Sequence, residues 1–248
     1  MLTDSYNKVF KDKTKVLIVF SHPDDADFFA SGTIARLVED GKLVRVVKMT
    51  SGNKGSKQND YDEKGLALER EKEDTTAMDI LGVLPENNIY LRIGDGEVDN
   101  SLETISLIVN QIRKFKPDIV ITHNPEVVVV EFGHGMSHVN HRDHRNTGTS
   151  VIDAIYPYSR DVLFFPKQLE NPDAASHIVT QFLLTDSYNH PEEIFIDITK
   201  TYSKRVSALK SHTSQFGEVD IEAISAFYTQ QEGSSQRWER FRFVNTAF

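Results

Sequence analysis

Two short clusters hold the residue types that suit metal chemistry: His22-Pro23-Asp24-Asp25 and His141-Arg142-Asp143-His144. Neither spacing marks a zinc site by itself. A histidine and an aspartate after a strand commonly form a hydrogen-bonded turn, and two histidines near a helix start are commonly surface residues. Together they meet the needs of a catalytic zinc, which takes three protein donors and keeps a fourth position for water; His22, Asp25 and one of the two later histidines fill that count. Asp24 adjoins a ligand and, if it points the other way, can take a proton from water whose pKa the ion lowers to about 7. The remaining later histidine is free to serve a developing oxyanion or a leaving nitrogen. Such a set suits hydrolysis of an amide or ester. Nucleophilic serine chemistry is disfavoured, because no Gly-x-Ser-x-Gly elbow follows a strand. Nucleotide binding is disfavoured too, since the loop Thr50-Ser51-Gly52-Asn53-Lys54-Gly55 lacks a Gly-Lys-Ser/Thr ending.

The elements around these clusters predict how they meet. Residues 15–20 form a short apolar, β-branched run that suits a strand buried on both faces, and residues 27–40 have helical apolar spacing with Gly41 as a stop. Strands are expected at 43–49, 88–93 and 118–122, the last ending at His123. Helices are expected at 66–81, stopped by Gly82, and at 102–115, with Asn100 and Glu103 read as a capping box. Strand and helix alternating four times predict an α/β fold, a Rossmann-like three-layer sandwich with a mainly parallel sheet and helices on both faces. Both clusters then fall at the carboxyl edge of one sheet, where such folds bind ligands. Residues 124–140 lack a pattern and are expected to wall the site. Within them, Val127 to Val130 read either as an exposed patch for a subunit contact or lid, or as a short buried strand. Further strands are expected at 162–165, 178–184 and 194–198, and helices from Thr199 through Leu209 and over 221–231. No linker or repeat divides the chain, which predicts one domain over residues 1–248.

Composition narrows the class. Among 248 residues, 39% are apolar and 10% aromatic, enough for a substantial core. A net charge of −9 argues against nucleic acid as a partner, since such binding needs clustered Lys and Arg. Without cysteine, any metal must be held by His, Asp, Glu or backbone oxygen. No apolar run reaches the ~20 residues of a membrane span, and residues 1–15 lack a signal-peptide core, so a cytoplasmic location is expected.

The motifs in order resemble the LmbE-like or PIG-L deacetylases, zinc-dependent enzymes that remove acetyl from N-acetylglucosamine in larger molecules. Ser21 to Asp25 resembles the A-H-P-D-D signature and Thr50 to Gly55 the T-x-G-x-x-G loop. Arg70 to Glu73 running to Leu81-Gly82-Val83 is similar to an R-x-x-E helix ending in L-G-V. Lys116 to Val120 resembles R-P-D-x-V, His141 to His144 resembles H-P-D-H, and His212 to Gln215 resembles H-x-S-Q. The resemblance implies Zn2+, or another divalent transition metal, on His22, Asp25 and His144, with Asp24 as general base. It also implies that His141 stabilises the tetrahedral intermediate and helps protonate the amine. Arg70 matches a substrate-contacting position, although an ion pair with Glu69 or Glu73 on its own helix is equally natural. Asp95 is a candidate partner for a sugar hydroxyl, although Asp beside Gly is normal turn chemistry. His212 and Gln215 are expected to close the pocket or support the histidines.

Departures from the family pattern bear on substrate more than on reaction. Ala26 stands where an acidic residue is usual, so a supporting contact is either missing or made by Asp27. Arg142 replaces a proline, and the 124–140 loop adds Glu126, Glu131, His134 and His138, expected to shape substrate entry. The implied partner is a small amino-sugar conjugate, with a homo-oligomer as a further expectation. Alternatives are a metal-dependent hydrolase of a non-GlcNAc amide, such as a modified nucleoside or antibiotic, and an inactive sugar-binding relative.

Overall fold

The computed structural model describes residues 2–56, 62–133 and 136–247. Strand β1 (Lys15–Phe20) divides its side chains between two cores: Val16, Ile18 and Phe20 enter one and Leu17 and Val19 the other. Alternation along a strand that is covered on both faces requires this continuous apolar run. Parallel neighbours β2 (Leu43–Thr50) and β3 (Asn88–Ile93) lie on one side, and β4 (Ile119–Thr122) on the other. A hairpin of β5 (Val129–Gly133) and β6 (Met136–Val139) stands apart from the main sheet. Strands β7 (Gln181–Leu184), β8 (Glu193–Asp197) and β9 (Trp238–Asn245) complete a seven-stranded sheet of order β3-β2-β1-β4-β7-β9-β8, in which β9 is antiparallel to both neighbours. The α/β class and the mainly parallel sheet are as the sequence predicts.

Several helices differ from the sequence reading in instructive ways. After α1 (Tyr6–Phe10), the expected 27–40 helix is two: α2 (Asp25–Phe29) and α3 (Ser31–Glu39), broken at Ala30, where φ is −144°. The break leaves backbone groups unpaired, and a buried ion pair takes them up. Glu239 accepts from Gly32 N and Thr33 N at 2.8 Å each. Arg205 lies 3.0 Å from Glu239 and donates to the carbonyls of Asp27 (3.1 Å) and Phe28 (2.7 Å). Both partners come from distant sequence, so a window around Ala30 shows no stop. Helix α4 (Glu63–Leu81) is capped by Asp62 and ended by Gly82 in the left-handed region. Helix α5 (Leu102–Phe115) is capped by Ser101, whose side chain accepts from Thr104 N; the Asn100 to Glu103 box is one residue out of place.

Helix α6 (Arg142–Asp153) follows the hairpin, and α7 (Tyr202–Lys210), α8 (Thr213–Phe216) and α9 (Ile221–Thr229) lie in the carboxyl third. Residues 162–165 are not a strand. Arg113 gathers the carbonyls of Tyr158, Ser159, Asp161 and Phe165 and curls this stretch, leaving Val162, Leu163 and Phe164 exposed. The 124–140 connection, expected to be irregular, contains the hairpin; Val130 is buried while Val128 and Val129 face solvent. His134 lies outside the described residues. No described helix is long and apolar enough to cross a membrane.

Candidate active site

The turn after β1 and the start of α6 do meet at one edge of the sheet. Asp25 is their hub. Its Oδ2 accepts from His22 N (2.7 Å) and Ser21 N (3.1 Å), which fixes the carboxylate over the turn. Its Oδ1 lies 3.1 Å from His144 Nε2, and its Oδ2 lies 3.4 Å from His22 Nδ1. One donor atom each from His22, Asp25 and His144 falls within 4.8 Å of the others. Zinc bonds of 2.0–2.2 Å in a tetrahedron separate donors by about 3.3–3.6 Å, so this set fits one ion with little movement. Burial alone would raise the Asp25 pKa, but His144 and His123 outweigh it and hold the carboxyl well below its usual range.

Hydrogen bonds around the ligands assign their tautomers. His144 Nδ1 sits 3.2 Å from Asn140 Oδ1, an acceptor, so Nδ1 carries the proton and Nε2 presents its lone pair toward Asp25. Asn140 is buried and donates to Val127 O at 2.8 Å, which ties the hairpin to this ligand. His22 Nε2 lies 3.2 Å from Asp95 Oδ1 and 3.3 Å from Asp143 Oδ2, which places its proton there and leaves Nδ1 for the ion. Burial works against a charged His22, yet the carboxylates of Asp143, Asp25 and Asp95 raise its pKa well above the ordinary value.

Asp24 begins α2 at φ +96°, a conformation that costs a non-glycine residue roughly 1–3 kcal/mol. Arg70, buried on α4, restrains it. Arg70 Nη2 donates to Pro23 O (2.8 Å) and lies 3.3 Å from Asp24 Oδ2, while Nη1 donates to Gly52 O (3.1 Å). Gly52 has φ +64°, and a Cβ there would collide with the Arg70 guanidinium, which explains the glycine in the loop after β2. Burial raises the Asp24 pKa, Arg70 opposes it, and Asp25 adds to the rise. The pairing of Arg70 with Glu69 or Glu73 is not what forms. Glu73 instead accepts from Thr213 Oγ1 (2.7 Å), Ser214 N (2.7 Å) and Ser214 Oγ (2.6 Å), clamping the turn that carries His212 and Gln215.

Other expected residues also find places. His141 caps α6: its Nδ1 accepts from Asp143 N at 3.1 Å, so Nε2 bears hydrogen toward the cavity. Burial, then the nearby His22, lower its pKa. Asp95 does more than shape a turn, because it contacts His22; burial would raise its pKa, but His22 and Arg70 hold it at about 2. His212 is fully buried and bonds Asp27 Oδ2 at 2.8 Å, so Asp27 makes the contact that Ala26 cannot. Glu126 pairs with Arg242, and His138 lines a cavity beside the ligands.

Sequence reasoning passes over several contributors. His123, at the end of β4, stacks on His144 with centroids 4.0 Å apart and planes 6° apart, and its Nε2 is 3.2 Å from Asp25 Oδ2. Burial first, then the neighbouring His144, push its pKa down to about 3, so it stays neutral and orients the ligand ring. Asp143 accepts from Gly96 N (2.7 Å) and faces His22. Both stood at positions already marked, one at a strand end and one inside the second cluster. Two cavities adjoin the ligands. One, about 280 Å³, has polar lining from Arg70, Asp95, His141 and Gln215. The other, about 370 Å³, is lined by Phe28, Phe29, Phe216 and Tyr228.

Comparison with known proteins places the chain in a family and a fold. The family model described as "PIG-L: GlcNAc-PI de-N-acetylase" matches residues 17–155. Diacetylchitobiose deacetylase of Thermococcus kodakarensis is 29% identical over 250 residues, covering 98% of this chain and 87% of the relative. A probable N-acetyl-alpha-D-glucosaminyl L-malate deacetylase 2 of Bacillus anthracis is 26% identical over 83% of each chain. Among solved structures, N,N'-diacetylchitobiose deacetylase from Pyrococcus horikoshii, complexed with its inhibitor MPG, superposes with a TM-score of 0.81 at 28% identity, over 98% of this chain and 87% of that one.

Proposed function

The chain belongs to the PIG-L family, and from that membership we propose that it is a single-domain, metal-dependent N-deacetylase acting on a small conjugate that contains N-acetylglucosamine. The observation that carries the reading is the division of labour in one turn: Asp25 lies among the ligand donors while its neighbour Asp24 is turned to Arg70. The related deacetylases support the reaction class and the amino-sugar substrate.

In this reading His22, Asp25 and His144 hold the ion, with zinc as the ion of choice because the donor set is two imidazoles and one carboxylate. A divalent metal held there would supply Lewis-acid polarisation and make water at the site more acidic. Asp24, its basicity raised by burial, accepts the proton from the attacking water and returns it to the leaving nitrogen. His141 donates a hydrogen bond from Nε2 to the carbonyl oxygen as negative charge develops there, and assists protonation of the leaving amine. Arg70, Asp95 and Gln215 line the polar cavity and bind sugar hydroxyls. A cytoplasmic setting completes the proposal. An antibiotic or nucleoside amide, or a silent sugar binder, gains no support from the relatives named above, and a binder has no use for Asp24 and His141 in these positions.

Amine release from N-acetylglucosamine conjugates, measured with parallel metal analysis, tests the proposal. Asp24→Asn is expected to keep the metal and lose most turnover, whereas His144→Ala loses both. Equal residual activity in the two variants would refute the assignment.

A further inference from the structure

The aromatic cavity beside the ligands has no task in deacetylation as described, because an acetyl group offers it only a methyl. Asp24, Asp25 and His144 line both cavities, so the two adjoin across the reacting position. A secondary amide is planar and trans, which sends its two carbon substituents away from the C–N bond in opposite directions. With the sugar in the polar cavity, among Arg70, Asp95 and Gln215, the acyl substituent of an amide at the shared wall is directed to the other cavity. There Phe29 sets its ring edge-on to His144 (6.0 Å, 85°) and Phe28 sets its ring against Tyr228 (4.5 Å, 69°), so apolar surface begins at the ligand itself. Size points the same way. A methyl group is comparable to a water molecule, which occupies ~30 Å³ in the liquid, and the cavity holds about 370 Å³.

Resting on the deacylation reading above, we propose that this aromatic cavity is an acyl-chain site and that the enzyme accepts neutral aliphatic N-acyl groups longer than acetyl. Asp186 also lines the cavity and disfavours an anionic tail. Burying one methylene in apolar surroundings is worth up to about fourfold in binding, and a cavity open to solvent retains part of that.

A matched series of N-acetyl, N-propionyl, N-butyryl and N-hexanoyl glucosamine conjugates on one aglycone, assayed by amine release with the metal-loaded enzyme, decides the matter. The expected kcat/KM holds or rises by about twofold per added methylene through hexanoyl. In Phe216→Ala, where a half-buried cavity ring on a short surface helix is removed, the hexanoyl-to-acetyl ratio falls at least threefold; this ratio is internal to each protein preparation. A tenfold or steeper fall from acetyl to butyryl in the unsubstituted enzyme overturns the acyl site while leaving deacetylation intact. A length profile that Phe216→Ala leaves unchanged overturns it as well, and would point to the aglycone as the occupant. No release from any member of the series by folded, metal-bearing enzyme removes the deacylase reading and this inference with it.

Discussion

Asp25 and Asp27 lie two residues apart on one short helix, each against a histidine from far along the chain, yet they build opposite things. Asp25 gathers three imidazoles at 3.1–3.4 Å, separations that leave room for an ion among the donors, and it borders two cavities. Asp27 meets His212 at 2.8 Å in a direct hydrogen bond that is closed to solvent. The residue types are the same. Asp27, Asp74 and His212 also bring one donor atom each within 4.8 Å of the others, so access to a cavity, which only Asp25 has, separates a reaction centre from a strut, and that access is not written in residue type.

The largest effects should fall on the Asp25 side. Asp24→Asn is expected to lower kcat by about 10²–10⁴, the usual worth of a general base, with metal content unchanged by elemental analysis; His144→Ala should lose the metal and fall further in activity. If His212→Ala emptied the metal site as His144→Ala does, the contrast would collapse. On the Asp27 side the expected loss is stability. Asp27→Ala strands a buried imidazole and should cost about 3–5 kcal/mol in urea unfolding while the ligand set survives. Asn140→Ala probes the border between the two kinds of role: it removes the acceptor that fixes the His144 tautomer, so metal affinity should weaken by about 10–100-fold in a chelator competition.

The smallest effect belongs to a carboxylate with no chemistry. Asp118, in the stretch after Pro117, accepts from Thr14 N (2.7 Å) and Lys15 N (2.9 Å) and so pins the start of β1. Burial would raise its pKa, but these N–H groups prevail and lower it. Its contribution, about 1 kcal/mol after allowance for solvent, is complete above the free-chain pKa and is lost as pH falls through the lower folded value. The stability gap between the native chain and Asp118→Ala should therefore be steady at neutral pH and close below about pH 4. A gap that persisted at pH 2 would assign the loss to packing instead.

These contrasts also explain what the sequence made legible. The first four strands of the sheet and the helices between them carry unbroken apolar periodicity, and their order predicts the fold. Composition and spacing narrow the proposed ligands to His22, Asp25 and one later histidine; the family resemblance points to His144, and the Asn140 contact, which turns His144 Nε2 toward Asp25, is consistent with that choice. Strand β9 was missed because Glu239, Arg240 and Arg242 interrupt its apolar alternation, and Glu239 is buried only because Arg205 awaits it. Arg70 and Glu73 look like a solvated helix face, since nothing local announces that their partners are the carbonyls of Pro23 and Gly52 and the turn at 213–214.

The brace at the Ala30 break has a temporal meaning. A nascent chain emerging from the ribosome presents His22, Asp25 and His144 well before Glu239 is made, so the Ala30 break between α2 and α3 lacks its carboxylate until β9 is made. A product truncated before β9 is therefore expected to carry every candidate ligand while its α2–α3 break lacks the Glu239 carboxylate.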